Sequence, residues 1–590
     1  MCGICGQIMF NDQPSSTRCV EKMTAAMQKR GPDAQGLFAQ GPAALGHRRL
    51  KIIDLSERAH QPMVDNALGL SIIFNGAIYN YRELRRKLEN SGYTFFSSGD
   101  TEVILKAYHA WGRDCVQYFN GMFAFAIFER DSGRLFVARD RLGIKPLYYR
   151  EDSREFRFAS SLPALIAGGD IDAEIDPVAL HHYMTFHSVV PAPHTILQGV
   201  RKMMPGETMT IDARGTIEKD TYWKLGFHPR PEERRYGMAE WTALVRETLR
   251  EAVRRRLAAD VPVGVLLSGG VDSSLVVGLL AELGQQDLTT FSIGFESVGG
   301  EEGNEFRYSD IVADYFDTTH HRIQCDSADV LSSIEACLGV MSEPMVSHDC
   351  IGFYLLSQAV SRHVKVVQSG QGADEIFGGY HWYPPLMNST DPLGDYVGHF
   401  FDRSHSEYAA AVDPRFLERD YSLEFVKRRF AQTETEAPVD KALCLDTAVM
   451  LVDDPVKRVD NMTMAWGLEA RVPFLDHELV ELAARIPAQF KVANGGKHVL
   501  KEAARDIIPE EVIDRPKGYF PVPALKYLKG DYLAFVKEIL ESPRTRERAL
   551  FNPDYITHVL AEPEKHITPL QGSKAWQMAV LAYWLAAQGL

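Results

Sequence analysis

Cysteine is scarce in this 590-residue chain. The eight present (Cys2, Cys5, Cys19, Cys115, Cys325, Cys337, Cys350 and Cys444) are too few and too scattered for a disulfide-built scaffold. The one close pair, Cys2 and Cys5 in CGIC, has no second pair or histidine cluster to complete a zinc site. Apolar runs of the roughly 18 residues needed to span a bilayer are missing. So is a basic stretch followed by an apolar one at the N-terminus, the mark of a secretory signal. A cytoplasmic protein without membrane segments is therefore expected. Positive charge is in deficit: 64 Lys and Arg against 79 Asp and Glu give a net charge of −15, which argues against a general binder of nucleic acid or membrane surfaces. Internal repeats and low-complexity tracts are absent as well, which excludes solenoid and disordered organisation.

What is present divides into two patterns. At roughly 150 residues per domain, the length allows two large domains or three to four ordinary ones. Residues 1 to about 220 carry short β-like runs separated by turn signals: 70–76, 123–130, 134–140, 146–151 and 155–161. Helices are expected at Tyr81–Ser91 and Thr101–Trp111, the second capped by Asp100. This mixture predicts an α+β layered domain. Residues 223–239 are polar, charged and interrupted by proline, as in a linker. From residue 240 helices and strands alternate: helix 240–257, strand 263–267, helix 272–283, strand 288–295, helix 305–316, strand 320–324, helix 352–362 and a strand from 365. That order predicts a doubly wound parallel sheet, followed by a mainly helical C-terminal part.

Cys2 directly follows the initiator Met. With Met1 removed, the thiol would have its own α-amine beside it as a base, so no distant histidine need be recruited. Five further motifs follow in order: RGPDAQG (30–36), GHRRLKIIDL (46–55), FNGAIYNY (74–81), SSGDTEVIL (97–105) and the long run 121–149. With MCGICG, they resemble the class II glutamine amidotransferase domain, a four-layer αββα N-terminal-nucleophile hydrolase, over most of residues 1–210. The resemblance implies that Cys2 attacks the side-chain amide of glutamine and releases ammonia. Asn75 and the Gly76 amide would form the oxyanion hole, Arg49 would bind the glutamine α-carboxylate, and Asp100 its α-ammonium. One residue departs from the pattern: Ala77 stands where the family usually has Glu. Either glutamine binds more weakly or another group of the pocket replaces the lost anion.

The second motif is VLLSGGVDSSL (265–275), between an expected strand and an expected helix. Gly269 and Gly270 let the backbone approach an anion, the helix N-terminus supplies unpaired N–H groups, and Ser268, Ser273 and Ser274 add hydroxyls. The GxxxxGK[ST] pattern of Walker-type loops is absent from it. The segment resembles the pyrophosphate loop of the ATP pyrophosphatases, which adenylate a carboxylate with ATP. By that resemblance Asp272, with Asp374 from QSGQGADEIFGGY (368–380), would hold Mg²⁺. Leu267, Ile293, Ser369 and Gly370 would flank the nucleotide. Lys497, in GGKHVLKEAAR (495–505), matches the catalytic lysine of the asparagine synthetase pattern, which MTMAWGLEARVPFLDHELVE (462–481) also resembles.

Over nearly its whole length the chain therefore resembles glutamine-hydrolysing asparagine synthetase. Residues 1–222 would be the glutaminase, 223–239 a linker and 240–590 the ATP pyrophosphatase domain. The resemblance implies a carbon–nitrogen ligase working on glutamine, ATP and a carboxylate acceptor, and a homodimer. The acceptor is left open by two departures. Gln371 replaces the usual Glu of S-G-E-G, and MVSHDCIGFYLL (345–356) replaces T-T-I-R-A-S-T. A neutral Gln cannot serve as a carboxylate base. The stretches 181–202, 294–310 and 370–385 look more like N-acetylglutaminylglutamine amide synthetases, which make an osmoprotectant. Aspartate, and the ring-closing substrate of a lactam synthetase, are the alternatives. The basic clusters Arg254–Arg256 and Lys427–Arg429 are expected to be solvated helix faces.

Overall fold

The computed structural model describes residues 2–11, 13–297, 303–515, 523–526 and 528–590. Two six-stranded antiparallel sheets open the chain. In the first, Gly3–Met9 lies between Glu155–Ala159 and Ala43–Arg49; in the second, Gly121–Glu129 lies between Leu70–Ile78 and Leu135–Arg139. Alternate residues of the central strands face each other across the sandwich, so Ile4, Ile8, Leu45, Ile73, Ala124, Val137 and Phe158 share one apolar cluster. Helices cover the outer faces. Tyr81–Asn90 buries Tyr81, Leu84 and Leu88, the i, i+3, i+7 stripe of an amphipathic helix, against the second sheet. Thr17–Ala26 and Leu162–Gly168 cover the first. The expected αββα layering is observed.

Asp100 differs from its expected role. It is the first residue of the helix Asp100–Trp111, Gly99 takes the cap position, and Asp100 Oδ2 accepts from the Ile78 amide at 3.0 Å. The carboxylate is thus turned away from its own helix and onto the strand that carries Asn75 and Gly76. A cap pattern gives the start of a helix to within a residue or two, but which backbone amide the side chain takes is settled by packing.

The second half holds a five-stranded, wholly parallel sheet in the order Thr319–Cys325, Thr289–Phe295, Val263–Leu266, Val366–Gln368, Glu469–Arg471. The first strand in sequence lies in the middle and the order reverses beside it, so the loops after Leu266 and Gln368 leave their carboxyl ends on either side of a switch point. Helices then dominate to the C-terminus. The last, Lys574–Ala587, is buried nearly all round, with Trp576 and Trp584 in the core. Among the described residues no helix is long and apolar enough to cross a membrane.

The cluster Arg254–Arg256 is not a solvated face. Arg254 is exposed, but Arg256 is 2% exposed, pairs with Asp476 at 2.9 Å and stacks over Tyr79; Arg255 reaches Asp476 and Glu478. A helix end carried onto a neighbouring loop buries charge that sequence alone would leave in water.

Candidate functional sites

The first site forms where the two sandwich sheets open toward the second half. The Cys2 amide donates to Asn75 Oδ1 at 3.0 Å. That contact leaves Asn75 Nδ2, fully buried, with no hydrogen-bond partner, a donor held ready for an oxygen. Gly76 follows at φ +155°, and a Cβ there would lie 2.1 Å from the Met122 carbonyl, so only glycine fits. Arg49 is 3% exposed; its guanidinium donates to the Ser56 carbonyl at 2.9 Å and to the Asp54 carbonyl, which fixes the plane of the fork. Burial holds the Cys2 thiol above its ordinary value, opposed by nearby positive charge and the Leu50 amide. Burial also pushes Asp100 up to about 6, against the hydrogen bond from Ile78.

Cys2, Arg49, Gly76 and Asp100 line one small cavity, with Asn75 directly behind Cys2. Two wall residues, Glu469 and Arg471, come from the edge strand of the parallel sheet. Glu469 is 1% exposed and accepts from Arg471 Nε at 2.6 Å. Burial raises its carboxyl, but the surrounding positive charge, with Arg471 and Lys145, outweighs this and leaves it at about 2. An ionised carboxylate from the second half thus faces the cavity that lacks an acid at Ala77. The motif 462–481 contained Glu469, yet nothing in the sequence could say that its strand reaches the first domain.

The second site is a cleft of about 480 Å³ at the switch point of the parallel sheet. Leu267, Ser268, Gly270, Asp272, Ser273, Ile293, Ser369, Gly370, Asp374 and Lys497 all line it. Gly269 and Ser274 are not on its wall. Gly269 sits at φ +71°, and a Cβ there would lie 2.5 Å from the Ser309 amide nitrogen, so the loop requires glycine at this position. The Ser274 side chain is wholly buried in the helix Val271–Glu282. Lys497 is held in the left-handed region at φ 55° by the N-terminus of the helix His498–Ala504. Its Nζ lies 2.5 Å from Asp272 Oδ2 and 2.9 Å from Asp374 Oδ1. Burial pulls the ammonium down, but the two carboxylates outweigh it and hold Lys497 above its ordinary value.

Several lining residues were not foreseen. Arg458 and Asp349 sit 3.5 Å apart on the cleft wall, Arg515 pairs with Glu305 at 2.8 Å, and Phe353 and Leu356 add apolar surface to the cleft that Gln371 also lines. Arg458 is 5% exposed and Asp454 also lies 3.5 Å from it. Tyr380, also on the wall, donates to the buried Glu375 at 2.7 Å; burial first, then Asp374, raises Glu375 to about 7. The two sites meet in one strand pair: the Ser369 amide, on the cleft, donates at 2.9 Å to the carbonyl of Arg471, whose side chain lines the first cavity.

Two family profiles match separate stretches of the chain. The sequence profile described as glutamine amidotransferase domain matches residues 1–223, and that described as asparagine synthase matches residues 244–586. Glutamine-hydrolyzing asparagine synthetase 1 of Bacillus subtilis is 32% identical over 99% of this chain and 96% of its own. Glutamine-hydrolyzing asparagine synthetase 3 of the same organism is 30% identical over 95% and 92%. A protein named amidase chry2 from Gibberella zeae is 27% identical over 88% and 89%.

Proposed function

The chain belongs to the asparagine synthase family, glutamine-dependent, ATP-consuming carbon–nitrogen ligases, and from that premise we propose how its two sites divide the reaction and which acceptor it amidates. Residues 1–222 act as the glutaminase, 223–239 as the connection and 240–590 as the adenylating part. With Met1 removed, the Cys2 thiol gives its proton to the new α-amine as its sulfur attacks the glutamine side-chain carbonyl, and the amine passes that proton to the departing nitrogen. Asn75 Nδ2 and the Gly76 amide take the charge that develops on the oxygen. Ammonia leaves, and water releases glutamate from the thioester. Arg49 binds the α-carboxylate of glutamine.

The α-ammonium of glutamine is held by Asp100 and by Glu469, which replaces the acid missing at Ala77. The cavity wall and the ionised state of Glu469 support this. Glu469→Gln should raise KM for glutamine with little change in kcat, as expected when binding is lost equally from ground and transition states. Asp100 adds a pH limb. Its carboxyl, raised to about 6 in the free protein, is protonated below that pH and loses its attraction for the ammonium. The kcat/KM for glutamine should therefore fall as pH drops through about 6, and Asp100→Asn should remove that limb while lowering the plateau. A profile flat to pH 5 in the parent protein would refute the assignment.

In the second site the acceptor carboxylate attacks the α-phosphorus of ATP and displaces pyrophosphate; ammonia then attacks the acyl-adenylate carbonyl, giving an amide and AMP. Asp272 and Asp374 converge from the two loops of the switch point and offer hard oxygen donors suited to Mg²⁺, which would neutralise phosphate charge. Lys497 stabilises charge on the reacting phosphate. The observation that best supports coupled transfer is the strand Glu469–Arg471, whose side chains wall the glutamine cavity while its backbone holds the Ser369 loop.

For the acceptor we favour the C-terminal carboxylate of N-acetylglutaminylglutamine. Neutral Gln371 and the apolar Phe353 and Leu356 line the cleft and suit an uncharged acylated chain, and Arg458, already paired with Asp349 and Asp454, is a cation on the same wall for its one carboxylate. Free aspartate would bring an ammonium and a second carboxylate to the same wall. Pyrophosphate release with ammonia as nitrogen donor tests this directly: turnover with the acylated dipeptide and little with aspartate is expected. Turnover with aspartate alone would make the chain an asparagine synthetase proper.

A further inference from the structure

Away from both sites, side chains from three helices converge, one of the helices distant in sequence from the other two. His181 lies on the helix Pro177–Thr185, His405 begins the helix His405–Ala411, and Asp420 caps the helix Tyr421–Gln432. Among the described residues, theirs is the one group of three His, Cys, Asp or Glu side chains whose ligand atoms all lie within 4.8 Å of one another. His181 Nε2 is 3.1 Å from His405 Nδ1 and 3.7 Å from Asp420 Oδ1. We propose that His181, His405 and Asp420 form a binding site for a borderline divalent transition ion, with Zn²⁺ the best match.

Proton accounting supports a lone pair, rather than an N–H, on the buried His181 Nε2. The Thr185 hydroxyl donates to the His181 carbonyl at 2.7 Å and stands 2.7 Å from Ser422 Oγ. Ser422 Oγ also lies 3.1 Å from His181 Nδ1 and 2.9 Å from His182 Nδ1. Thr185 Oγ1 stands 3.3 Å from His181 Nδ1 as well, and one closed arrangement of these contacts has both imidazoles donate to Ser422 and Ser422 donate to Thr185. His181 then carries its proton on Nδ1, the tautomer that an outer hydroxyl or carbonyl selects in metal-binding histidines.

The spacing also suits an ion. Two nitrogens about 2.0–2.1 Å from a tetrahedral zinc lie roughly 3.3 Å apart, close to the observed separation. Asp420 can ligate without losing its cap: its Oδ1 accepts from the Leu423 amide at 3.0 Å, and a carboxylate has further lone pairs. His405 and Asp420 are only half-buried, which leaves an entry path and room for water as the fourth ligand. Two imidazoles and one carboxylate favour zinc over Mg²⁺. Such an ion would pin a helix from before residue 222 to two helices beyond residue 400.

The test uses the full chain, stripped with EDTA, dialysed and titrated calorimetrically with ZnCl2. One equivalent should bind and raise Tm. Ser422→Ala should weaken binding about 10–100-fold, the usual effect of losing an outer-sphere partner. His405→Ala and Asp420→Asn should weaken it more; asparagine is as good a helix cap, so a folding defect is not expected from the latter. His321→Ala, in the histidine pair with His363 whose rings lie 4.4 Å apart, should leave it unchanged. Failure of the parent chain to bind zinc, or equal binding by His405→Ala and Asp420→Asn, would overturn the proposal in favour of a plain imidazole–imidazole hydrogen bond.

Discussion

Cys2→Ala abolishes amide formation from glutamine and leaves formation from added ammonia unchanged: that is the expected result for a chain with one nucleophile in the first site and none needed in the second. Removing a hydrolytic nucleophile outright costs on the order of 10⁶ in rate. Asn75→Ala provides a graded comparison. It removes one of two oxyanion donors and should cost about 10²–10³ in glutaminase kcat, again without touching the ammonia-driven reaction. Asn75 is the more informative residue for geometry, because its Oδ1 already holds the Cys2 amide. Loss of that contact should also loosen Cys2, so KM and kcat both shift in Asn75→Ala, whereas Asn75→Asp should retain the contact and lose only the donor. Normal glutamine use by Cys2→Ala would disprove the N-terminal nucleophile.

Lys497→Met is expected to abolish synthesis with either nitrogen donor while leaving glutamine hydrolysis in place. Lys497 lies 2.5 and 2.9 Å from the Asp272 and Asp374 carboxylates, and in the proposed reaction it would meet the charge that moves onto the departing pyrophosphate. Cationic groups in that role contribute on the order of 10³–10⁵ in phosphoryl-transfer rates. The contrasting outcome is a structural lysine that merely keeps Asp272 and Asp374 from repelling each other. In that case Lys497→Met should chiefly raise KM for ATP, and excess Mg²⁺ should restore the rate. A fall in kcat at saturating ATP that excess Mg²⁺ does not reverse identifies a catalytic lysine. Lys497→Arg should retain part of the rate, since the charge survives but the compact ammonium does not.

Much of this protein was legible from the chain itself. Alternation of short β-like runs with helical stripes gave a layered α+β part before residue 220 and a parallel sheet after 240, because periods of 2 and 3.6 are dictated by backbone geometry. The same holds for the loop at 265–275 and for glycine at 76, where no side chain fits. Most of the residues singled out in the sequence line one of the two cavities, because they cluster in short motifs next to a strand end or a chain end. Their side-chain partners were not. Asp100 was expected to cap its helix and instead serves the Asn75 strand; Arg256 was expected in water and is buried on Asp476 and Tyr79.

Contacts between distant segments were decided by tertiary structure alone. Glu469 has no helical or strand pattern that marks it, and it reaches the glutamine cavity only because the edge strand of one half abuts the open end of the other. The convergence of His181 with His405 and Asp420 joins a segment to two others more than 200 residues further along the chain. The scarcity of cysteine, by contrast, needed no structure: all eight are free thiols, seven of them buried, and Cys2 alone stands on the wall of a site. Local pattern determines what a segment becomes, whereas packing determines what its side chains meet, and packing alone brings Glu469 to the cavity wall that Ala77 shares.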